Sequence, residues 1–251
     1  MEYYRPKDVS ETLEIIKNPK IKMVLMGGGT AINRFSSESF AVVDLQDAGL
    51  NSLHEKGRIL EIGATVTLQT LYENDNIPLN LKTSIYRERA QNLRQVATVA
   101  GTLVSSNGRS PFATAMLALD AALSLKPDDE TISLGDLFPL REEILGSKLI
   151  TKVAIPLNVQ LAYEYVARTP ADIPIVCASV AKWPSGRTRV VLGGFGDAPI
   201  LAMDGPESGG EEISAADAYR HAGDDWASAE YRQEMAKILV NRCLSKLEIS
   251  K

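Results

Sequence analysis

The stretch NLRQVATVAGTLVSSNGRSPFATAMLALDA, residues 92–121, decides how the rest of the chain is interpreted. It begins with a run of small residues, crosses a polar loop at 105–111 and ends in an apolar segment at 112–122 that predicts a helix. Small residues let a backbone approach a ligand closely, and hydroxyl and N–H groups can hold phosphate or ribose. An ordinary tight loop between two packed elements has the same composition, so a ligand site and a structural loop stand as alternatives.

A second feature is a glycine turn that directly follows a short buried strand. Residues Lys22–Met26 predict the strand, and the sequence Gly-Gly-Gly-Thr occupies positions 27–30. Such a turn can offer several N–H groups to an anion. No Gly-Lys-Ser/Thr follows, which excludes a Walker loop, and Ile32 occupies the last glycine position of the G-x-G-x-x-G pattern. Taken alone, the turn is as consistent with a plain glycine turn as with a phosphate site.

The composition is that of an ordinary globular protein. A chain of 251 residues has room for one large domain or two moderate ones. The net charge of −5 gives no basic footprint, so nucleic acid and anionic membranes are poor candidate partners. The N-terminal sequence MEYYRPKDVS has no apolar signal region, and no run approaches the roughly 18 apolar residues of a membrane span. We therefore expect a cytoplasmic protein without a membrane span.

Metal and hydrolytic chemistry have little support. Cys177 and Cys243 are far apart, each lies in an apolar pattern, and both are expected to be buried free thiols. His54 and His221 are isolated, so no metal site is predicted. An iron–sulphur cluster needs about four thiolates, which this chain cannot supply. No G-x-S-x-G elbow or Ser-His-Asp set is apparent.

Short helices and strands alternate in the first part of the chain. Strands are predicted at 22–26, 41–45, 58–64 and 149–156, and helices after Asp8, Thr67 and Ser133. Asp8 and Glu11 form a capping box, and Pro19 is expected to end the first helix. Residues 83–92 predict a further helix with a solvated face at 87–89. The acidic turn KPDDE at 126–130 is expected to be exposed.

The composition changes near Leu157, where we place a domain boundary. Beyond it, strands are predicted at 162–166, 175–183 and 189–192, with a hairpin turn at 184–187. A loop is predicted at 205–210, and a short helix begins at Ser214. The chain ends in an amphipathic helix at 228–244.

Residues 93–102, LRQVATVAGT, resemble the I-R-N-x-A-T-I-G-G-N signature of the FAD-binding, medium subunits of molybdenum hydroxylases, the family of carbon monoxide dehydrogenase and xanthine dehydrogenase. The glycine turn resembles the A-G-G-T-D-L loop with which that family holds the FAD pyrophosphate. Three further segments are similar to the family and occur in its order: IGATVTLQTL at 62–71, VVLGGFGDAPILA at 190–202 and DDWASAEYRQEMAKILVNRCL at 224–244. The resemblance runs from about residue 2 to 246.

The chain departs from the family pattern at several positions. Gln95 stands for an Asn, Ala100 for the first Gly of a pair and Thr102 for the Asn that follows. Ala31 replaces an acidic residue, and Pro111 stands where the family usually has an Asp that holds the flavin. These departures motivate an alternative, a degenerate member that acts as a non-flavin binding or scaffold subunit. A third possibility is a module that binds another phosphate at the glycine turn.

The resemblance implies an α+β fold: a two-part, PCMH-like FAD-binding domain, residues 1–156, followed by a smaller α+β domain, residues 157–251, with an antiparallel sheet and a C-terminal helix. The two parts of the first domain are expected at about 1–52 and 53–156. It also implies the FAD-binding residues, which are Leu25, Met26, Gly27, Gly28, Gly29, Thr30, Ala31, Ile32, Leu93, Ala97, Thr98, Gly101, Thr102, Ser105, Pro111, Leu149 and Ile150. Tyr163 falls where the family often has an aromatic residue near the flavin edge, although its strand pattern also fits simple packing.

As a family member, the chain would be the FAD-binding electron-transfer subunit of a molybdenum-containing hydroxylase or dehydrogenase, and thus part of an oxidoreductase. It would pass electrons from a [2Fe–2S] small subunit to NAD, a quinone or oxygen. A molybdopterin-binding large subunit would oxidise the substrate. The protein would supply binding, orientation and tuning, and the cofactor would supply the redox chemistry.

Overall fold

The computed structural model describes residues 2–17, 22–32, 40–146, 148–206 and 209–249. By packing, the chain divides into two compact units. Unit 1 comprises Met1–Asn74, Ala90–Ser105 and Ala122–Ile155, and unit 2 comprises Asp75–Arg89, Ser106–Ala121 and Pro156–Lys251. The predicted fold class is confirmed, because helices and largely antiparallel sheets are mixed and the last element is a helix.

Unit 1 contains a small parallel sheet in the order β1–β3–β2. Its strands are β1 (Glu2–Tyr4), β2 (Lys22–Met26) and β3 (Phe40–Asp44). Helix α1 (Val9–Ile16) begins at Asp8, whose carboxylate accepts the Glu11 N–H at 2.8 Å. The Glu11 carboxylate accepts the Lys7 N–H in return, so the predicted capping interaction is present. Pro19, expected to end this helix, lies outside the described residues.

A second sheet of unit 1 has the strand order β4–β5–β8–β6–β7. Its strands are β4 (Leu53–Lys56), β5 (Ile59–Gly63), β6 (Ala122–Lys126), β7 (Glu130–Ser133) and β8 (Leu149–Pro156). The helices of unit 1 are α1, α2 (Leu68–Glu73), α4 (Gln91–Arg94), α5 (Val99–Ser105), α7 (Leu134–Leu137) and α8 (Arg141–Leu145). Thr67 and Ser133 cap α2 and α7 with their hydroxyl groups, as predicted.

Unit 2 has helices on both faces of an antiparallel sheet in the order β12–β11–β10–β9. Its strands are β9 (Gln160–Val166), β10 (Val176–Lys182), β11 (Arg187–Gly193) and β12 (Ile200–Pro206). Helices α9 (Glu211–Ala218) and α10 (Ala229–Ile249) pack on one face, and α3 (Leu79–Glu88) and α6 (Pro111–Ala118) pack on the other. The core between the sheet and α10 includes Ala162, Ala178, Val180, Leu239 and Cys243.

The packing joins two internal segments to the C-terminal part of the chain. Helices α3 and α6 cover one face of the unit 2 sheet, so 75–89 and 106–121 group with Pro156–Lys251. A single cut near Leu157 does not describe this grouping. The limits 1–156 and 157–251 refer to domains of the family, which this grouping by packing does not test, so they stay a prediction.

The helix predicted at 83–92 is wrong in its bounds. The structure has two helices there, α3 and α4, because Arg89 adopts an extended backbone with φ −151° and ψ 152°. The predicted solvated face is also wrong for Glu88, which is only partly exposed and accepts hydrogen bonds from the Ser110 hydroxyl at 2.7 Å and the Phe112 N–H at 3.1 Å. This carboxyl group is therefore used inside unit 2, at the N-terminus of α6.

The strand predicted at 149–156 is confirmed by β8, whereas the loop predicted at 205–210 begins too early. Strand β12 continues through Gly205 to Pro206, because its pairing with β11 extends to Arg187. The helix expected to begin at Ser214 is α9, which already begins at Glu211.

The acidic turn connects β6 to β7 and is largely exposed, as expected. Among the described residues, no helix is long and apolar enough to cross a membrane.

Candidate cofactor site

A cavity of about 380 Å³ lies within unit 1. Its walls come from β2, the glycine turn, α5, the end of α8 and the beginning of β8. The described lining residues are Met23, Val24, Leu25, Gly27, Gly28, Gly29, Thr30, Ala31, Ile32, Leu45, Ala64, Thr65, Thr98, Ala100, Gly101, Val104, Ser105, Leu145, Lys148, Leu149 and Ile150. Most of these side chains are small or apolar, so the cavity suits a ligand with a large apolar part.

The glycine turn packs directly on the backbone that precedes α5. A Cβ atom at Gly28 would overlap the carbonyl oxygen of Val96, and Gly29 has φ +71°, a backbone conformation that favours glycine. The N–H groups of residues 27–31 donate to no acceptor in the part of the chain that the structure describes. A turn of this kind, with several unpaired N–H groups beside a cavity, can bind an anion.

Thr98 joins the glycine turn to α5. Its hydroxyl oxygen accepts the Gly101 N–H at 3.2 Å, so Thr98 caps the first turn of α5. A Cβ atom at Gly27 would lie 2.5 Å from the Thr98 Oγ1, and one at Gly101 would lie 2.6 Å from it. The glycines on both sides therefore leave room for this hydroxyl, and the two motifs found in the sequence meet at Thr98.

Two further hydroxyl groups of α5 bond back to the helix. Thr102 donates to the Thr98 carbonyl at 2.7 Å, and Ser105 donates to the Gly101 carbonyl at 2.8 Å. The Thr65 hydroxyl, by contrast, is buried in the cavity wall and has no hydrogen-bond partner among the described residues. An unpaired buried hydroxyl is costly, and a ligand acceptor would remove that cost.

Lys148 is the only charged side chain among the described lining residues. Its ammonium pairs with Glu130 and lies 3.4 Å from an Asp128 carboxylate oxygen. The hydrogen bond to Glu130 raises the pKa of Lys148, so this side chain is positively charged at neutral pH. Lys148 therefore connects the acidic turn, with which it forms ion pairs, to the cavity that it lines.

Twelve of the predicted FAD-binding residues line this cavity: Leu25, Gly27, Gly28, Gly29, Thr30, Ala31, Ile32, Thr98, Gly101, Ser105, Leu149 and Ile150. Met26, Leu93, Ala97 and Thr102 belong to unit 1 but do not line it. Ala97 and Thr102 are buried in packing, and Leu93 is exposed on α4. A contact between these four residues and a cofactor stays a prediction.

The two remaining predicted residues belong to unit 2. Pro111 is the first residue of α6, where it lacks an N–H that the helix would leave unpaired, and the Ser110 hydroxyl caps this helix. Tyr163 is buried in β9, and its ring stacks on Tyr165 with the centroids 5.9 Å apart. Burial raises the pKa of the Tyr163 hydroxyl well above its ordinary value. Packing accounts for both positions, and their roles toward FAD stay predictions.

Sequence reasoning missed several lining residues. Thr65 lies inside the segment IGATVTLQTL that carries part of the family resemblance, so its position is a usable signal. Lys148 directly precedes the predicted strand at 149–156, but its ion pairs with Asp128 and Glu130 depend on the folded hairpin. Val104 and Leu145 are apolar positions that no local pattern distinguishes from core residues.

The fold and the cavity define a class of protein, an α+β chain with a largely apolar cavity beside a glycine turn whose N–H groups suit an anion. A family model described as the FAD binding domain in molybdopterin dehydrogenase matches residues 1–158, which is more than half of the chain. The chain belongs to this family, and its cofactor is FAD. The resemblance drawn from the sequence motifs is thereby confirmed.

Individual proteins resemble the chain over nearly its whole length. The uncharacterized protein YgfM of Escherichia coli strain K12 is 25% identical over 245 residues, which cover 95% of this chain and 93% of that protein. A chain in the crystal structure of quinoline 2-oxidoreductase from Pseudomonas putida 86 has a TM-score of 0.79 at 19% identity and covers 98% of this chain and 96% of its own. Reconstituted carbon monoxide dehydrogenase from Oligotropha carboxidovorans contains a chain with a TM-score of 0.80 at 21% identity and the same coverage, 98% and 96%. At these identities, the structural likeness shows the fold alone.

Proposed function

We propose that this protein is the FAD-binding electron-transfer subunit of a molybdenum hydroxylase complex. It receives electrons from a [2Fe–2S] small subunit and passes them to NAD, a quinone or oxygen. A molybdopterin-binding large subunit oxidises the substrate. The observation that carries the proposal is the glycine-lined cavity of unit 1 in a chain of the FAD-binding family.

The residues present fit a bound FAD. The N–H groups of residues 27–31, which have no acceptor among the described residues, would hold the pyrophosphate through backbone dipoles, without a cation in the turn itself. Glycine at positions 27 and 28 allows the turn to pack against Thr98 and Val96, because a Cβ atom at either position would collide with one of them. The Thr65 hydroxyl, likewise without a partner in the described chain, supplies a further donor in the wall.

The rest of the cavity would orient the cofactor and exclude water. Leu149 and Ile150 present apolar side chains at the start of β8, which suits the flat, largely apolar ring system of a flavin. Thr98, directly before α5, and Gly101 and Ser105 within it form another part of the wall. When bound, FAD supplies the capacity to accept electrons from one partner and to deliver them to another.

The need for partner subunits is supported by the residues of the chain itself. Its two cysteines, Cys177 and Cys243, are both buried in unit 2, and burial raises the pKa of the Cys177 thiol to about 11. Two separate buried thiols do not supply the four thiolates that an iron–sulphur cluster typically needs. Under this proposal, the iron–sulphur cluster that delivers electrons to the flavin is held by residues outside this sequence.

A visible spectrum of the purified chain, combined with an FAD titration of the stripped protein, tests the cofactor assignment. We expect a yellow protein that rebinds FAD at a ratio of about one to one, as a single site requires. A chain that remains colourless and shows no affinity for FAD would instead favour the scaffold alternative. Purification from the native source should recover two further subunits that carry iron, sulphide and molybdenum, and recovery of a lone, fully active hydroxylase would overturn the proposal.

A further inference from the structure

Lys148 occupies a special place in the proposed cofactor cavity. It is the only charged side chain among the described lining residues, and its side chain is 24% exposed. It directly precedes Leu149 and Ile150, which form the apolar wall at the start of β8. A positive charge in a mostly apolar site acts more strongly on a ligand than the same charge in water.

The ammonium of Lys148 forms ion pairs with the hairpin between β6 and β7. Glu130 accepts a hydrogen bond from it, and Asp128 lies 3.4 Å away. The hairpin also contains the pair Lys126–Asp129, but Lys126 is not among the lining residues. Glu130 and Asp128 therefore oppose the positive charge that Lys148 presents to the cavity, whereas Lys126 has no such role.

We propose that Lys148 is a cofactor-binding residue that attracts the negative charge of FAD, and that Glu130 limits this attraction. The proposal rests on the proposed function, because it requires FAD in this cavity. It predicts effects of opposite sign for the two members of one ion pair. Loss of the lysine leaves two carboxylates near the cavity and weakens FAD binding, while loss of the Glu130 charge strengthens it.

The test is an FAD titration of the full chain and of four variants at low and high salt. We expect Lys148→Gln to weaken FAD binding by about tenfold, which is the size of one charge-assisted hydrogen bond. Glu130→Gln should strengthen binding, and Lys148→Arg should keep the affinity close to that of the wild type. Lys126→Gln is the matched control, since it removes a lysine that pairs with the same hairpin but does not line the cavity, and it should leave the affinity unchanged. Added salt should reduce the differences between variants.

The midpoint potential of the bound flavin provides a second readout that a purely structural role would not move in a sign-dependent way. The flavin ring gains negative charge on reduction, so a lower potential in Lys148→Gln would show that the Lys148 ammonium acts on the ring. An unchanged potential together with weaker binding would show that it acts on the pyrophosphate. Equal weakening in Lys148→Gln and Glu130→Gln, together with a lower melting temperature, would reduce the pair to a structural contact and overturn the inference. Wild-type affinity in Lys148→Gln would also overturn it. If the wild type itself binds no FAD, the proposed function fails first.

Discussion

Gly28 and Val96 are in direct backbone contact, because a Cβ atom at Gly28 would overlap the Val96 carbonyl oxygen. The glycine turn and the segment before α5 therefore form one packed structure, and Gly28 is needed for the fold before any ligand is considered. We expect Gly28→Ala to lower the free energy of unfolding by several kcal/mol, at the high end for single substitutions. Thermal or urea unfolding measures this change.

The matched control is Gly205→Ala, since nothing lies within 4 Å of a Cβ atom added at Gly205. That variant should unfold at nearly the wild-type temperature. A Gly28→Ala protein as stable as the wild type would contradict the packing described here. Because the substitution acts on the fold, loss of FAD from a Gly28 variant cannot by itself locate the pyrophosphate.

Thr98→Val should weaken both the fold and the cofactor site. The variant removes the hydroxyl that accepts the Gly101 N–H, and loss of such a cap typically costs about 1 kcal/mol. It should also lower FAD affinity by about tenfold if the hydroxyl donates to a phosphate. Thr98→Ser keeps the hydroxyl and should restore most of both properties. A Thr98→Val protein with wild-type FAD affinity would show that the hydroxyl serves the helix alone.

Thr65→Val separates cofactor binding from stability. Its hydroxyl is buried without a partner among the described residues, so its removal should leave the FAD-free protein equally stable or slightly more stable. FAD affinity should fall by about fivefold to tenfold, because one hydrogen bond to the cofactor is lost. Differential scanning calorimetry of the FAD-free protein measures the change in stability, and an FAD titration measures the change in affinity. A parallel fall in both would assign Thr65 to packing.

Glu88 should make the stability of the protein depend on pH. Burial raises the pKa of this carboxyl in the folded protein, so the folded state keeps a proton that the unfolded state has already released. Stability from this group therefore falls as the pH rises from the unfolded pKa, about 4.3 for Glu, through the raised folded pKa. Glu88→Gln keeps an oxygen that can accept from Ser110 and Phe112 and should remove this fall.

Unfolding by urea at a series of pH values checks the prediction. Glu61→Gln is a useful comparison, because Lys56 and Lys152 lower the pKa of Glu61 and its contribution is instead lost as the pH falls. Identical pH profiles for the wild type and Glu88→Gln would show that the Glu88 carboxyl does not titrate in this range.

The elements that can be predicted from the sequence are those fixed by local pattern. Strand β8 is predictable because a largely apolar segment runs from Leu149 and ends at Pro156, and the cap at Thr67 has a typical sequence signature. The break at Arg89 and the partial burial of Glu88 cannot be predicted from local pattern, because the Glu88 carboxylate accepts hydrogen bonds from Ser110 and Phe112, which are distant in sequence. Tertiary contacts override the charge pattern that favours a solvated helix face.

The candidate site shows the same division. The glycine turn and Thr98 can be found through sequence motifs, because close approach of two backbone segments requires small residues that are visible in the sequence. Lys148 is missed because its ion pairs with Asp128 and Glu130 form only when the β6–β7 hairpin is folded. The contact between Gly28 and Val96 is missed for a similar reason, as two separate motifs do not reveal that they pack together.

Tyr163 offers a test of the predicted flavin-edge role that spares the fold. The side chain is only 3% exposed, so Tyr163→Ala would cost about 3–5 kcal/mol, as other large-to-small core substitutions do. Tyr163→Phe keeps the ring that stacks on Tyr165 and removes only the hydroxyl. If the hydroxyl acts on the flavin, Tyr163→Phe should shift the flavin absorption spectrum or midpoint potential while FAD stays bound.

Tyr165→Phe is the matched control for that experiment. Tyr165 lies on the same face of β9, and the Arg87 guanidinium sits 4.4 Å from its ring centroid, so its environment differs from that of Tyr163 while its chemistry is the same. A shift in the Tyr163 variant alone supports the flavin-edge role, because a general loosening of β9 would affect both. Spectra and potentials that match the wild type in both folded variants would leave Tyr163 as a core residue, consistent with the burial that raises its pKa.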